Sequence, residues 1–114
     1  MKNKATKRQN YRHTPAFILL FLAKKDLYGA ALLNALKEEM PNYSIDSAVI
    51  YRTLQELEEE GAVLSYWETD ISGPAKKWYK ITEKGYDKLK QLRQDILLRK
   101  RIFDYFIEEY ETLK

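Results

Sequence analysis

Hydrophobic residues recur along the chain first at the spacing of helices and then at the spacing of strands. The run from 16 to 23 is apolar nearly all round, and Thr14 followed by Pro15 offers it an N-cap and a first helical turn. Between residues 28 and 40 the apolar positions fall on one stripe at helical spacing, and Pro41 ends that segment. The pattern predicts a buried first helix followed by an amphipathic second helix.

A third helix is predicted between two clear end signals. Asp46 can cap its start, Ile45 can pack onto Ile50 as a hydrophobic staple, and Gly61 supplies a C-terminal stop. At about 100° per residue, the face opposite the apolar stripe carries small and polar groups that suit phosphates and base edges. An ordinary solvent-exposed face is the alternative interpretation. The residues on this face are Ala48, Tyr51, Arg52 and Gln55.

Two strand-like runs follow, at residues 62–69 and 76–81, and the segment between them is rich in turn residues. This pattern predicts a β-hairpin. Lys76 and Lys77 stand beside its tip, where they suit phosphate contacts. Three aromatic residues of the hairpin are expected to pack in or beside the core: Trp67, Trp78 and Tyr79.

The last helix is predicted to begin at Thr82 and to run to about residue 113 without internal proline, a length of roughly 45 Å. Arg99 occupies the one polar slot of its heptad pattern. Such a pattern predicts a helix that dimerises. Its apolar positions are Leu89, Leu92, Ile96, Phe103, Phe106, Tyr110 and Leu113.

Composition narrows the chemistry that the chain can perform. It has 114 residues, which is near the size of one domain, and no cysteine, which fits a reducing, cytoplasmic compartment. A single histidine, His13, cannot by itself build a zinc site or a nucleophilic pair. We therefore expect no metal, no cofactor and no enzymatic activity. The apolar run 16–23 is too short for a membrane span, which needs roughly 18 residues.

The formal charge of +3 is distributed unevenly, since residues 1–13 carry five Lys or Arg and no acid. We interpret residues 1–13 as a basic tail that can track phosphates, a loose cationic tail being the alternative. Residues 14–81 have the element order of a winged helix-turn-helix domain, and residues 82–114 form its C-terminal dimerisation helix. The predicted fold class is thus mainly α with a small β-hairpin (α+β).

In a winged helix-turn-helix domain the third helix enters the major groove of DNA and the hairpin forms the wing on the backbone. This arrangement gives the third helix and the wing a common function. The expected DNA-binding residues are Ser47, Ala48, Tyr51, Arg52, Gln55, Lys76 and Lys77.

Three stretches carry a resemblance to a known family. They are Tyr28-Gly29 at the second helix, "IYRTLQELEEEGAVLSYWE" at 50–68 and "GPAKKWYKITEKG" at 73–85. Together they resemble the PadR-type transcriptional regulators, and the single helix after the wing is similar to the smaller subfamily. The resemblance implies DNA contact by Tyr51 and its neighbours and dimerisation through the first and last helices, so Phe17 and Phe21 join the expected dimer interface.

Two positions depart from the family pattern. Lys76 stands where family members commonly carry arginine. A lysine ammonium, which acts as a point charge, therefore replaces a guanidinium that could make two parallel hydrogen bonds. The tryptophan on which multidrug-sensing relatives stack flat drugs is absent from the last helix. A candidate cleft for an unidentified small-molecule effector is nevertheless lined by Phe103, Tyr105, Phe106 and Tyr110, plain dimer core being the alternative.

The sequence therefore predicts a homodimeric, sequence-specific DNA-binding regulator, with double-stranded DNA and a second copy of itself as partners, acting as a repressor. The other hypothesis is a winged-helix module that binds a protein instead of DNA. It is supported by the acidic end of the third helix, because Glu58 to Glu60 would repel phosphates that came close.

Overall fold

The computed structural model describes residues 12–42, 44–68 and 73–113. Residues 1–11 of the basic tail lie outside the described residues. Within these described ranges the chain forms four helices and a three-stranded antiparallel sheet, so the predicted α+β winged-helix class is confirmed. In chain order the elements are α1 (Thr14–Lys24), β1 (Leu27–Tyr28), α2 (Gly29–Glu39), α3 (Ser47–Glu59), β2 (Val63–Glu68), β3 (Lys76–Ile81) and α4 (Glu83–Glu111).

Helix α1 is the centre of the core, as its apolar sequence predicts. It packs against α2, α3, α4 and β3, so almost every side of it is covered. One detail of its start was wrong: the N-cap is His13, and Thr14 is a buried residue of the first turn. Pro15 remains in that turn, where its missing N–H leaves no donor unpaired. The largest fully buried side chains of the core are Ile18, Leu19, Leu22, Leu32, Leu36, Ile50, Leu54, Leu57 and Val63.

Both predicted ends of α3 are confirmed. The Asp46 carboxylate accepts a hydrogen bond from the backbone N–H of Ala48 at 2.8 Å, which satisfies one of the free donors of the first turn. At the other end Gly61 has φ of +84°, a left-handed conformation that favours glycine and turns the chain into β2. The two signals fix the length of α3 and, with it, which of its residues face outward.

Strand β1 was missed by the sequence analysis. Its two residues pair with β3, Leu27 opposite Tyr79 and Tyr28 opposite Trp78, in the strand order β1-β3-β2. Tyr28 is therefore extended rather than the first residue of the second helical stripe, and α2 begins at Gly29. A strand of two residues is too short to show an alternation of apolar and polar side chains in the sequence. It forms only because β3 has a free edge with which it can pair.

The hairpin formed by β2 and β3 is the wing, and its register decides which aromatic residues are buried. Tyr79 is buried in the core, and the Trp78 ring meets Tyr28 edge to face with centroids 5.1 Å apart. Trp67 was wrongly expected in or beside the core, since it is 61% exposed. It pairs with Lys77 near the tip, and the core residues lie at the other end of the hairpin.

Helix α4 begins at the predicted cap and ends far from the domain. The Thr82 hydroxyl accepts a hydrogen bond from the backbone N–H of Gly85 at 3.1 Å and donates toward the carbonyls that follow α3. Leu89 and Leu92 pack against the core. From residue 97 onward the helix carries a series of exposed apolar side chains, which include Leu98, Ile102, Phe103, Tyr105, Phe106, Ile107 and Tyr110.

Candidate nucleic-acid interface

The outward face of α3 presents all five of its predicted DNA-binding residues to solvent. Their spacing of three and four residues brings them to one side of the helix. Tyr51, the largest of them, is 46% exposed. The five exposed residues are Ser47, Ala48, Tyr51, Arg52 and Gln55.

Tyr51 is held in place by the start of α2. Its ring lies so close to Gly29 that a Cβ built on that glycine would be 2.9 Å from both Cζ and the hydroxyl oxygen of Tyr51. A side chain at position 29 would therefore displace the ring. The Tyr28-Gly29 pair was noted as a family motif, but only the folded chain gives its glycine a steric reason.

A cleft of about 410 Å³ separates α3 from the wing, and its lining mixes the two elements. Lys77 projects into it from β3, with its Nζ 3.7 Å from Glu58 Oε1 of α3 and 5.5 Å from the centre of the Tyr79 ring. Ser65 of β2 donates a hydrogen bond to the other Glu58 oxygen at 2.5 Å. One carboxylate thus joins α3 to both strands of the wing. The cleft is lined by Tyr51, Gln55, Glu58, Glu59, Lys77 and Tyr79.

A second hollow of about 460 Å³ lies between the wing and the start of α2. Lys76 reaches over the Tyr28 ring, with Nζ 4.6 Å from its centre, and the exposed Trp67 forms one wall. This hollow shares Tyr51, Lys77 and Tyr79 with the cleft, so the two are parts of one surface. We call this surface the wing-helix face. It brings both predicted wing lysines together with Tyr51 and Gln55.

Gly29, Glu58 and Trp67 also line the wing-helix face and were not among the predicted DNA-binding residues. The side of the wing on which Trp67 lies could be predicted from the sequence. Side chains alternate along a strand, so positions 65 and 67 point to the same side as the buried Val63. Side-chain direction alone could not show that the core ends before position 67.

The opposite face of the wing is braced by polar contacts between aromatic and acidic residues. The Tyr66 hydroxyl donates a hydrogen bond to Asp26 Oδ2 at 2.6 Å, and Trp78 Nε1 donates to Glu68 Oε1 at 3.1 Å. The hydrogen bond to Asp26 raises the pKa of Tyr66, and the neighbouring carboxylate charges act in the same direction. The Tyr66–Asp26 bond attaches the wing to the segment before β1, and the Trp78–Glu68 bond joins the two strands of the wing.

The acidic end of α3 is largely engaged within the chain. Glu58 contacts Lys77 and Ser65, and Glu60 Oε1 lies 2.7 Å from Lys88 Nζ on α4. Glu59 remains exposed. Within residues 12–42, 44–68 and 73–113, no three His, Asp or Glu side chains gather closely enough to hold a metal ion.

The predicted dimer residues fall into three groups. Phe21 is buried in the core of the chain itself, and Leu89 and Leu92 pack partly against that core. Phe17 and Ile96 line an apolar groove of about 480 Å³ between α1 and α4, together with Leu20. The remaining four are at least 62% exposed: Phe103, Phe106, Tyr110 and Leu113.

The candidate effector cleft lies entirely within the exposed part of α4. The rings of Phe106 and Tyr110 are stacked with centroids 6.3 Å apart, and Phe103 and Tyr105 are exposed beside them. Because these rings extend beyond the domain, a cleft there needs a second copy of the chain to close it. The ligand cleft stays a prediction.

An outward helix face, a basic wing beside it and a long helix after the wing together define the class of winged helix-turn-helix regulators. Within that class the family is also defined: residues 18–100 match the model of the Transcriptional regulator PadR-like family. The chain therefore belongs to the PadR-like family, whose members are transcriptional regulators.

Related chains agree with this membership. A PadR family transcription regulator from Clostridium difficile is 25% identical, with a TM-score of 0.73 over 83% of this chain and 98% of that chain. Bacillus subtilis PadR, solved in complex with operator DNA, is 28% identical with a TM-score of 0.64 over 70% of this chain and 45% of that one. An uncharacterised protein of Lysinibacillus sphaericus is 29% identical over 100 residues, 87% of this chain and 92% of its own.

No helix in the part of the chain that the structure describes combines the length and the apolar content needed to cross a membrane.

Proposed function

We propose that this chain is a homodimeric, sequence-specific DNA-binding repressor that acts in the cytoplasm. The observation that carries the proposal is the wing-helix face, because it joins an exposed helix face to two wing lysines on one surface. The related Bacillus subtilis PadR was solved with operator DNA, which supports DNA binding by this chain.

Each element has its own role in the proposed complex. Helix α3 enters the major groove, where Arg52 and Gln55 read base edges and Tyr51 contacts the backbone. Lys76 and Lys77 contact phosphates, which contributes affinity without reading sequence. The short side chain of Ala48 permits close approach to the DNA.

Dimerisation completes the proposed function, since a two-fold protein reads two half-sites. The apolar groove beside Phe17 and the exposed rings of Phe103 and Phe106 support it, because a surface this apolar is typical of an interaction site. A repressor then acts by occupying the operator near the promoter.

The second candidate is a winged-helix module that binds a protein. Its main support was the acidic end of α3, and two of those three acids contact lysines of their own chain. The pair with Lys88 on α4 reduces the repulsion that Glu60 would exert on phosphates, which favours the DNA-binding function.

Genomic DNA provides the direct test of the proposed function. The protein is mixed with fragments of its own genome, and the retained fragments are sequenced. We expect a few enriched sites that share a palindromic sequence, and we expect Arg52→Ala to abolish that enrichment. Arg101→Ala on α4 removes the same charge away from α3 and the wing and is the matched control. Retention of no fragment by the unmodified protein would contradict DNA binding.

The same variants test sequence reading on one operator taken from those fragments. Arg52→Ala should weaken operator binding by about 1–3 kcal/mol, the value of a good base contact, and random DNA by less. An equal loss on both duplexes would show that Arg52 contacts only phosphate.

A further inference from the structure

Lys77 already has an anionic partner within the wing-helix face. Its Nζ lies 3.7 Å from Glu58 Oε1, and both side chains are more than a third exposed. The carboxylate is itself held by the Ser65 hydroxyl at 2.5 Å. The Glu58 carboxylate therefore occupies the position beside Lys77 that a phosphate would have to take.

The pair is weak enough to exchange. An ion pair exposed to this extent changes an equilibrium by at most about five-fold, so a phosphate brought to the cleft can replace the carboxylate as the partner of Lys77. While the pair is closed, its charges cancel and Lys77 attracts DNA little.

We propose that Glu58 is a positioning residue that competes with DNA phosphates for Lys77 and so weakens the wing's hold on any duplex. The inference rests on the proposed DNA-binding function and adds to it a contact within the chain that limits the affinity for DNA. Such a limit matters because non-specific sites are numerous in a genome and bind through phosphate contacts alone.

Random DNA is the most direct probe, since no operator needs to be known. A labelled random-sequence duplex is titrated with each protein at several salt concentrations, and affinity is followed by fluorescence anisotropy. Glu58→Gln removes the charge, while its amide oxygen can still accept the Ser65 hydrogen bond. Glu58→Ala is the second variant, for use if the amide disturbs the cleft.

We expect Glu58→Gln to tighten binding to random DNA by up to about five-fold for each copy of the chain, because the exposed ion pair no longer has to be broken before Lys77 binds a phosphate. The slope of log affinity against log salt should change by much less than the value of about 0.9 for a full phosphate contact, because Lys77 neutralises the same phosphate with or without Glu58. Glu58→Ala should act in the same direction.

A double-mutant cycle tests whether Glu58 acts through Lys77. In a Lys77→Gln background, Glu58→Gln should change neither the affinity nor the salt slope. Glu39→Gln makes the same change in net charge at the exposed end of α2 and should leave both quantities near their unmodified values.

Three results would overturn the inference. Glu58→Gln could give the same curves as the unmodified protein, its gain could persist without Lys77, or Glu39→Gln could give an equal gain. If the unmodified protein binds no duplex at any salt concentration, the proposed function fails first and the inference with it. An unmodified protein that binds DNA but does not respond to Glu58→Gln contradicts the inference alone.

Discussion

The phenol ring of Tyr51 on α3 lies against the backbone of Gly29, the first residue of α2. The contact leaves no room for a Cβ, although Gly29 itself needs no positive φ. The glycine is therefore required by the position of the tyrosine and not by the path of the chain. A half-exposed ring can rotate away, so we expect a larger side chain at 29 to change the DNA-binding surface more than the stability.

Gly29→Ala should consequently cost only about 1 kcal/mol of unfolding free energy, the low end of the range for overpacking. It should also weaken binding to a random duplex by about as much as Tyr51→Ala does. Urea unfolding and duplex titration measure the two effects. In a Tyr51→Ala background the alanine at 29 should cost nothing further, and a persisting loss would mean that Gly29 acts independently of the ring.

Gly85 meets a different obstacle, and the expected result is the opposite. A Cβ there would lie 2.6 Å from Ile81 Cγ1 and would also clash with the backbone carbonyl of Ala62, which cannot move without a shift of the main chain. Gly85→Ala should therefore destabilise the protein by about 1–3 kcal/mol, although alanine is the better helix former by about 1 kcal/mol.

Gly73→Ala is the matched control for Gly85, because a Cβ at position 73 meets nothing within 4 Å. Its unfolding free energy should stay within about 0.5 kcal/mol of the unmodified value. If Gly85→Ala proved neutral or stabilising in urea unfolding, α4 would not be packed against Ala62 as closely as the structure has it.

The helices could be predicted because their signals are local. Asp46, Gly61 and Thr82 act on residues next to them in the chain, so the ends of α3 and the start of α4 were found from the sequence. Strand β1 could not be found in this way. Its two residues become a strand only through pairing with β3, which lies far along the chain.

The candidate site likewise has features that follow from the local sequence and features that depend on contacts between distant parts of the chain. The outward face of α3 follows from the angle between successive residues, so Tyr51, Arg52 and Gln55 were predicted together. The partner of Lys77 could not be predicted, because Glu58 reaches it only after the wing folds back along α3. The exposure of Trp67 depends likewise on where the core ends.

Tyr66 should titrate at a higher pH than an ordinary tyrosine, whose pKa is about 10. Its hydrogen bond to Asp26 is lost on ionisation, which would also place a phenolate beside a carboxylate, so the pKa is raised. A raised folded-state pKa means that the contact stabilises the fold below about pH 10. That stabilisation is lost as the pH rises through the folded-state value.

Asp26→Asn should therefore lower the pKa of Tyr66 toward about 10, because it removes the neighbouring charge and the stronger acceptor. The titration is read from tyrosinate absorbance as the difference between each protein and its Tyr66→Phe counterpart. In the same series, the stability difference between the unmodified protein and Tyr66→Phe should shrink at alkaline pH. An unchanged pKa in Asp26→Asn would remove Asp26 as its cause.

The last prediction concerns assembly, and it depends on the far half of α4. Phe103 and Phe106 are 62% and 66% exposed, and they extend beyond the domain on a helix of 29 residues. Exposed apolar surface on this scale favours association, so sedimentation at micromolar concentration should show a dimer.

Phe103→Glu with Phe106→Glu should give a monomer, because dimerisation would bury unpaired charges. Arg101→Glu alters charge on the opposite side of the same helix and should leave the dimer intact. On a random duplex the double variant should also show a shallower salt slope, since one copy contacts fewer phosphates than two. A monomeric unmodified protein would instead assign Phe103 and Phe106 to some other partner.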